Sequence, residues 1–332
     1  MSRAESTGRF RITRRQFLAA GLGTVAAAGA WGLLQPTRVR TFIARAPDYL
    51  DLSWRIRAGL AELGIGAASV RGKRILLKPN LVETGPGIHR TTHPAVVQAA
   101  AEVLRELGAA HIIVGEGPAH ITDTPRGLQL TGMADVLRAD RLPFVDLNYD
   151  DVFARKNRIA FSGLPELLLP ASLREVDWVV SLPKLKTHHW VGMSASMKNL
   201  FGLMPGSCYG WPKNVLHWAG IDRVVLDINL TVPCQLAIVD GIVGMEGDGP
   251  IMGSPVPAGV LVMGSSLPAV DATCARIMGI RPERVGYLGA SGEIGAPIAA
   301  DAIQQVGEPI SAVRRDFALL PERIPAHRGL RA

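Results

Sequence analysis

Residues 72–118 constrain this chain most, because they read as one strand, one helix and a second strand in direct succession. Residues 74–77 form a short apolar strand that ends at Lys78-Pro79-Asn80. Thr91-Thr92-His93-Pro94 then starts a helix running to about Leu107, with proline near its first turn, where its missing N–H costs nothing. Gly108 stops the helix, and residues 111–114 form the next strand, ending at Gly115-Glu116-Gly117-Pro118. A βαβ unit of this size implies parallel strands joined by a right-handed crossover.

The alternation continues. A helix is expected around residues 132–138 and a strand at 144–146; residues 177–181 are a buried strand leading into Lys184-Leu185-Lys186-Thr187-His188. Residues 194–203 and 224–230 read as short helices, and 235–239 as a strand ending at Asp240. A strand at 259–263 passes into a helix begun by Pro268-Ala269-Val270-Asp271. The expected class is α/β, with a mainly parallel sheet flanked by helices. Residues 190–233 break the alternation and are expected to form an irregular lid-like insertion or subdomain.

The N-terminus reads differently. Arg3, Arg9, Arg11, Arg14 and Arg15 form a basic head, followed by an apolar run over residues 17–34 that Gln35-Pro36 ends. Within it, Thr13-Arg14-Arg15-Gln16-Phe17-Leu18 matches the S/T-R-R-x-F-L pattern of twin-arginine export signals. The expected partner is therefore the twin-arginine translocase, and the expected location the periplasm or the outer face of the cytoplasmic membrane. Cleavage candidates are Ala28-Gly29-Ala30 and Ala44-Arg45-Ala46; an uncut run would serve as a membrane anchor. The domain reading is a signal or anchor at 1–34, a linker with an amphipathic helix at 35–71, the α/β domain at 72–290 and a C-terminal extension at 291–332.

The net charge is +7, but residues 1–30 hold five Arg and one Glu, so the remainder carries only +3. That is too little to argue for nucleic acid, and no basic-aromatic module appears. Cys208, Cys234 and Cys274 are the only cysteines, and their spacing offers neither a zinc ribbon nor a ferredoxin motif. GxGxxG, Walker A and GxSxG motifs are absent, which argues against dinucleotide enzymes, P-loop NTPases and α/β-hydrolases.

In parallel α/β sheets, ligands bind beyond the carboxyl ends of the strands. Several strands here end in polar clusters: Lys78 with Asn80, Glu116, Lys184 with Lys186 and His188, and Asp240 with Glu246 and Asp248. On an extended backbone Lys184, Lys186 and His188 share one face, a donor array suited to a phosphate or carboxylate; the alternative is a solvated basic loop. Lys198 and Asn199, in Ser196-Met197-Lys198-Asn199, add to the anion-binding set. His188 or His217 is the candidate general base. Asp240, Glu246 and Asp248 lie on a glycine-rich stretch and are candidate ligands for a hard cation such as Mg²⁺ or Ca²⁺; Glu246 is also a candidate acid–base residue. The alternative is a glycine-rich hairpin with exposed acids. His93 either caps its helix or touches ligand.

Taken in order, Lys78-Pro79-Asn80-Leu81-Val82, Thr92-His93-Pro94, Lys184-Leu185-Lys186-Thr187-His188, Met197-Lys198-Asn199 and the stretch from Asp240 to Pro250 resemble the domain-of-unknown-function family 362, over about residues 72–280. Members of that family are often described as iron–sulfur proteins because many carry ferredoxin modules with clustered cysteines. This chain lacks those cysteines, so the iron–sulfur label does not transfer. The resemblance implies an α/β domain with these motif residues at its site, and no established reaction.

Two functions fit these residues. One is a metal-assisted or acid–base enzyme acting on a small anionic substrate held by Lys78, Asn80, Lys184, Lys186, Lys198 and Asn199. The other is a non-catalytic binding protein for an anionic ligand or metal-bound cofactor in an envelope redox system.

Overall fold

The computed structural model describes residues 38–82, 89–119 and 123–331. The twin-arginine segment lies outside the described residues. The strands in chain order are β1 (Val39–Arg45), β2 (Arg74–Pro79), β3 (His111–Glu116), β4 (Phe144–Asp146), β5 (Val152–Lys156), β6 (Glu166–Pro170), β7 (Trp178–Leu182), β8 (Lys184–His188), β9 (Gly192–Ser194), β10 (Leu236–Glu246), β11 (Ser254–Val256), β12 (Val260–Gly264) and β13 (Ile303–Gly307).

All but β5 and β6, which pair as a separate ribbon, form one eleven-stranded sheet whose main path runs β13-β1-β12-β10-β7-β2-β3-β4. As the βαβ pattern requires, β2 pairs in parallel with β3, from Arg74 opposite His111 to Leu77 opposite Val114. On its other side β2 pairs in parallel with β7, and β10 pairs in parallel with β7 and β8. The one long strand that runs against its neighbours is β12, antiparallel to both β1 and β10.

Alternating residues of each strand feed two cores, as a sheet covered on both faces demands. Ile75 and Leu77 point into one, under the helices Leu52–Glu62 and Pro94–Glu106, while Leu76 and Val179 point into the other. This second core packs the helices Ile221–Thr231, Leu267–Ile277 and Gly286–Glu293.

Four sequence expectations change. Residues 35–71 are more than a linker, because they supply β1, whose Phe42, Ile43 and Ala44 are buried between β12 and β13. The extension at 291–332 supplies β13, parallel to β1. Residues 190–233 are not a lid: Met193, Met197, Leu200, Leu216, Val224 and Ile228 belong to the second core, so this stretch is one of the layers covering the sheet. Finally, the acidic glycine-rich stretch is strand through Glu246 rather than loop.

The two cleavage candidates differ in what they would leave of the sheet. A cut at Ala44-Arg45-Ala46 would remove β1, whereas one at Ala28-Gly29-Ala30 leaves it whole. A chain starting at residue 37 is expected to unfold cooperatively, and one starting at residue 47 to lose the transition or aggregate. Equal melting temperatures in differential scanning calorimetry would show that β1 is dispensable.

Candidate functional site

The helix after β2 (Pro94–Glu106) covers one face of the sheet, and the short helix after β7 (Ser196–Asn199) covers the other. The carboxyl ends of β2 and β7 therefore flank a switch point, where neighbouring connections diverge and leave a crevice. The ordered polar motifs converge there.

Lys78 closes β2 and is fully buried. Its ammonium donates to the Pro79 carbonyl at 2.7 Å, to Asn199 Oδ1 at 3.3 Å and to Glu116 Oε1 at the end of β3. Three acceptors match the three N–H groups of a charged lysine, with no lone pair left to satisfy. Asn199 fixes this geometry from the other side, donating to the Lys78 carbonyl at 2.9 Å and to Ser181 Oγ at 3.0 Å. Gly202 lies directly over the pair: a Cβ there would sit 2.4 Å from both Lys78 Nζ and Glu116 Oε1. The short helix that carries Lys198 and Asn199 is anchored by the buried Asp271, which accepts from the Ser196 and Met197 amides at 2.7 and 3.1 Å. Burial pushes the Asp271 carboxyl up to about 6.

A second buried pair lies beside the first. Lys184 donates to Asp240 Oδ2 at 2.6 Å and to the Tyr49 hydroxyl at 3.1 Å, and that hydroxyl donates to Asp240 Oδ1 at 3.2 Å. The His93 and Ile242 amides also donate to Asp240, at 3.0 and 3.3 Å. The carboxylate thus receives four donors, filling its lone-pair positions. Tyr49 stacks on the His93 ring at 3.8 Å, and His93 caps its helix by accepting from the Ala95 amide at 3.2 Å. This cluster ties residues before β2 to the centre of the sheet.

Between the strand ends lies a cavity of about 290 Å³, lined by residues that include Lys186, His188, Lys198 and His217. Lys186 is buried and donates to the carbonyls of Arg90 and, at 3.5 Å, Pro250. Burial, reinforced by Lys184 and Lys198, pulls its ammonium well below the usual lysine range. Lys198 Nζ rests 4.0 Å from the Phe201 ring centre, and no described residue accepts a hydrogen bond from it. Burial and the Lys78 charge lower it to about 7. Lys213, absent from the sequence-based set, donates to the carbonyls of Gly117, Phe201 and Gly202 at 2.6, 3.3 and 3.4 Å, pinning the 200–203 turn to the end of β3. Burial lowers it to about 7 as well.

Two histidines complete the wall. His188 is buried, and burial with the nearby Lys198 charge holds it well below the usual imidazole range. Its Nδ1 accepts from the Trp190 amide at 3.1 Å, so Nε2 carries the proton of the neutral ring. His217 has the opposite tautomer, because its Nδ1 faces the Lys213 carbonyl at 2.9 Å and must donate. Both rings line the cavity, each with its Nδ1 committed to the backbone.

The anion-binding set divides. Lys78 and Lys184 hold structure together, while Asn80, Lys186, Lys198 and Asn199 line the cavity, Asn199 also fixing Lys78. Lys184, Lys186 and His188 do not act as one donor array, since Lys184 turns to Asp240. The three candidate metal ligands do not converge either. Asp240 is saturated in its own cluster, Glu246 accepts from the Ala318 amide at 2.8 Å, and the exposed Asp248 bonds His189 at 3.1 Å. Among the described residues no group of three His, Cys, Asp or Glu is placed to hold a metal ion. Glu246 is also outside the cavity lining; the carboxylate that does line it is Glu116, which the sequence marks as a strand-end residue.

The Lys78–Glu116 pair allows a stability test. Lys78→Met strands a buried carboxylate and is expected to cost about 3–5 kcal/mol, most of it recovered in Lys78→Met/Glu116→Leu, because an apolar pair avoids the desolvation cost. Denaturant unfolding of the single and double variants measures this. Additive losses would show that the two groups are not a buried pair.

The comparisons can now be set beside this geometry. A structural likeness to the lactate racemase apoprotein of Thermoanaerobacterium thermosaccharolyticum has 15% identity and a TM-score of 0.47, covering 74% of this chain and 58% of that one. The chain thus spans less than two thirds of that protein. A thylakoid-associated protein of Synechocystis is 31% identical over 281 residues, covering 80% of this chain and 82% of that protein. The family model for the domain of unknown function DUF362 matches residues 75–276, which run from β2 through the helix bearing Asp271, and the chain belongs to that family.

Proposed function

We propose that the chain is an exported acid–base enzyme that binds a small anionic substrate in the cavity between the carboxyl ends of β2, β3 and β8. One observation carries this reading. Among the described residues Lys186 and Lys198 face one cavity with no carboxylate in ion-pair contact, Asp222 acts on Lys198 only from a distance, and the lining carboxylate, Glu116, is already held by Lys78. An uncompensated positive cavity favours an anion, most strongly where water is excluded.

The residues suit distinct tasks. Lys186, with two of its three N–H groups given to carbonyls, keeps one for a carboxylate or phosphate oxygen. Lys198, near 7, holds the anion when protonated and takes a proton when neutral, the range in which a general base works best near neutral pH. His188 offers a neutral N–H donor, and His217 lines the same cavity with its Nδ1 committed to the Lys213 carbonyl. An acid–base reaction is preferred over a metal-assisted one because Asp240, Glu246 and Asp248 each serve a separate contact. Export through the twin-arginine translocase, on the strength of Thr13-Arg14-Arg15-Gln16-Phe17-Leu18, belongs to the same proposal, as does a periplasmic or outer-face location.

The pH dependence has a definite sign. Lys198 loses its charge as pH rises through about 7, so affinity for a small carboxylate or phosphate falls above that value, approaching about tenfold per pH unit. In Lys198→Arg, which stays charged, the dependence should flatten and turnover should be lost while binding persists. Calorimetric titrations from pH 6 to 8.5, with a turnover screen beside them, read both. A steep fall retained in Lys198→Arg would contradict the assignment; anion binding without turnover in the native chain would favour a binding protein.

A further inference from the structure

The Glu116 carboxylate is satisfied on one side only. Oε1 accepts from Lys78, while Oε2 is buried with no hydrogen-bond partner among the described residues, although the residue lines the cavity. Thr124, Ser172 and Thr231 also hold such an atom, and none of them is among the cavity's described lining residues. An unmet acceptor in a buried site is costly, so a group that supplies the missing donor gains what the empty position loses.

The charge state of Glu116 follows from its neighbours. Lys78 has three acceptors around its Nζ, the arrangement of an ammonium, and Glu116 is its only carboxylate partner. Glu116 is thus the counter-ion, and Oε2 can accept but not donate. Lys186, Lys198 and His188 bring donors to the cavity. The cavity is therefore asymmetric, with an anion-binding side and a buried carboxylate acceptor at the β3 end.

We infer that the substrate class is a small anion that also carries a hydroxyl or amino donor, with the anionic group toward Lys186 and Lys198 and the donor on Glu116 Oε2. The inference rests on the proposed anion site and adds the second functional group of the ligand. It also accounts for Gly202. Any side chain there would run into the pair and displace Glu116 from the lining.

The test compares acetate with glycolate and glycine, which add one hydroxyl or one ammonium to the same carboxylate. Ligand-observed NMR titrations of the full folded chain at pH 6.5 are expected to give glycolate and glycine at least about tenfold tighter binding than acetate, in line with one satisfied buried acceptor. In Glu116→Gln, Lys78 still requires an oxygen, so the amide NH₂ turns to the cavity. The preference should then vanish or reverse. Equal affinities for acetate and glycolate in the native chain would overturn the inference and leave the anion site standing. Failure of all three to bind would overturn both. The native-chain comparison decides the matter even if Glu116→Gln does not fold.

Discussion

Lys78 and Glu116 sit at the ends of two adjacent parallel strands, and their buried contact governs the arrangement above them. A charge pair taken out of water is costly, and it persists only where geometry and extra hydrogen bonds are good. Here Pro79, Asn199 and Glu116 satisfy the ammonium, and the absence of a Cβ at Gly202 lets the 200–203 turn close over both partners. Asn199 in turn fixes the short helix that carries Lys198, and Asp271 anchors the start of that helix. The pair thus sets the floor of the cavity and the height of its walls.

With Glu116 committed to Lys78 and Asp240 to Lys184, the other buried lysines make no ion pair among the described residues. Lys184 takes Asp240, and Lys186, Lys198 and Lys213 turn to carbonyls or an aromatic ring. Burial lowers the proton affinity of all three, and mutual repulsion adds to the effect. A surface cluster of lysines would stay charged and solvated. Lys198 and Lys213 stand where gain or loss of a proton falls close to neutral pH, which is where acid–base chemistry needs such groups.

Much of this was legible in the sequence. Period and punctuation gave the βαβ unit, and the rule that ligands gather at strand ends pointed to Lys78, Glu116, Lys186 and His188 on one rim. What escaped was non-local. The strand at Val39–Arg45 is short, and its partners begin at Val260 and Ile303, so its own pattern does not reveal that it is internal to a sheet. Asp240 and Glu246 read as loop ligands because glycines surround them. In the structure the glycines instead allow close approach: a Cβ at Gly244 would meet the Leu185 carbonyl of β8 at 2.9 Å. Lys213 and Tyr49 lie outside any motif, and only the fold shows that their polar atoms reach Gly117 and Asp240.

The central claim is that Lys198 faces an anion-binding cavity and titrates near neutrality. Lysine-selective ¹³C labelling, followed by NMR across pH with and without acetate or phosphate, tests it directly. Two lysines, Lys198 and Lys213, should titrate near 7; the one that shifts upward when the anion is added should disappear in Lys198→Arg. If instead every lysine titrates near the ordinary 10.5 and none responds to either anion, the cavity is not the site described here.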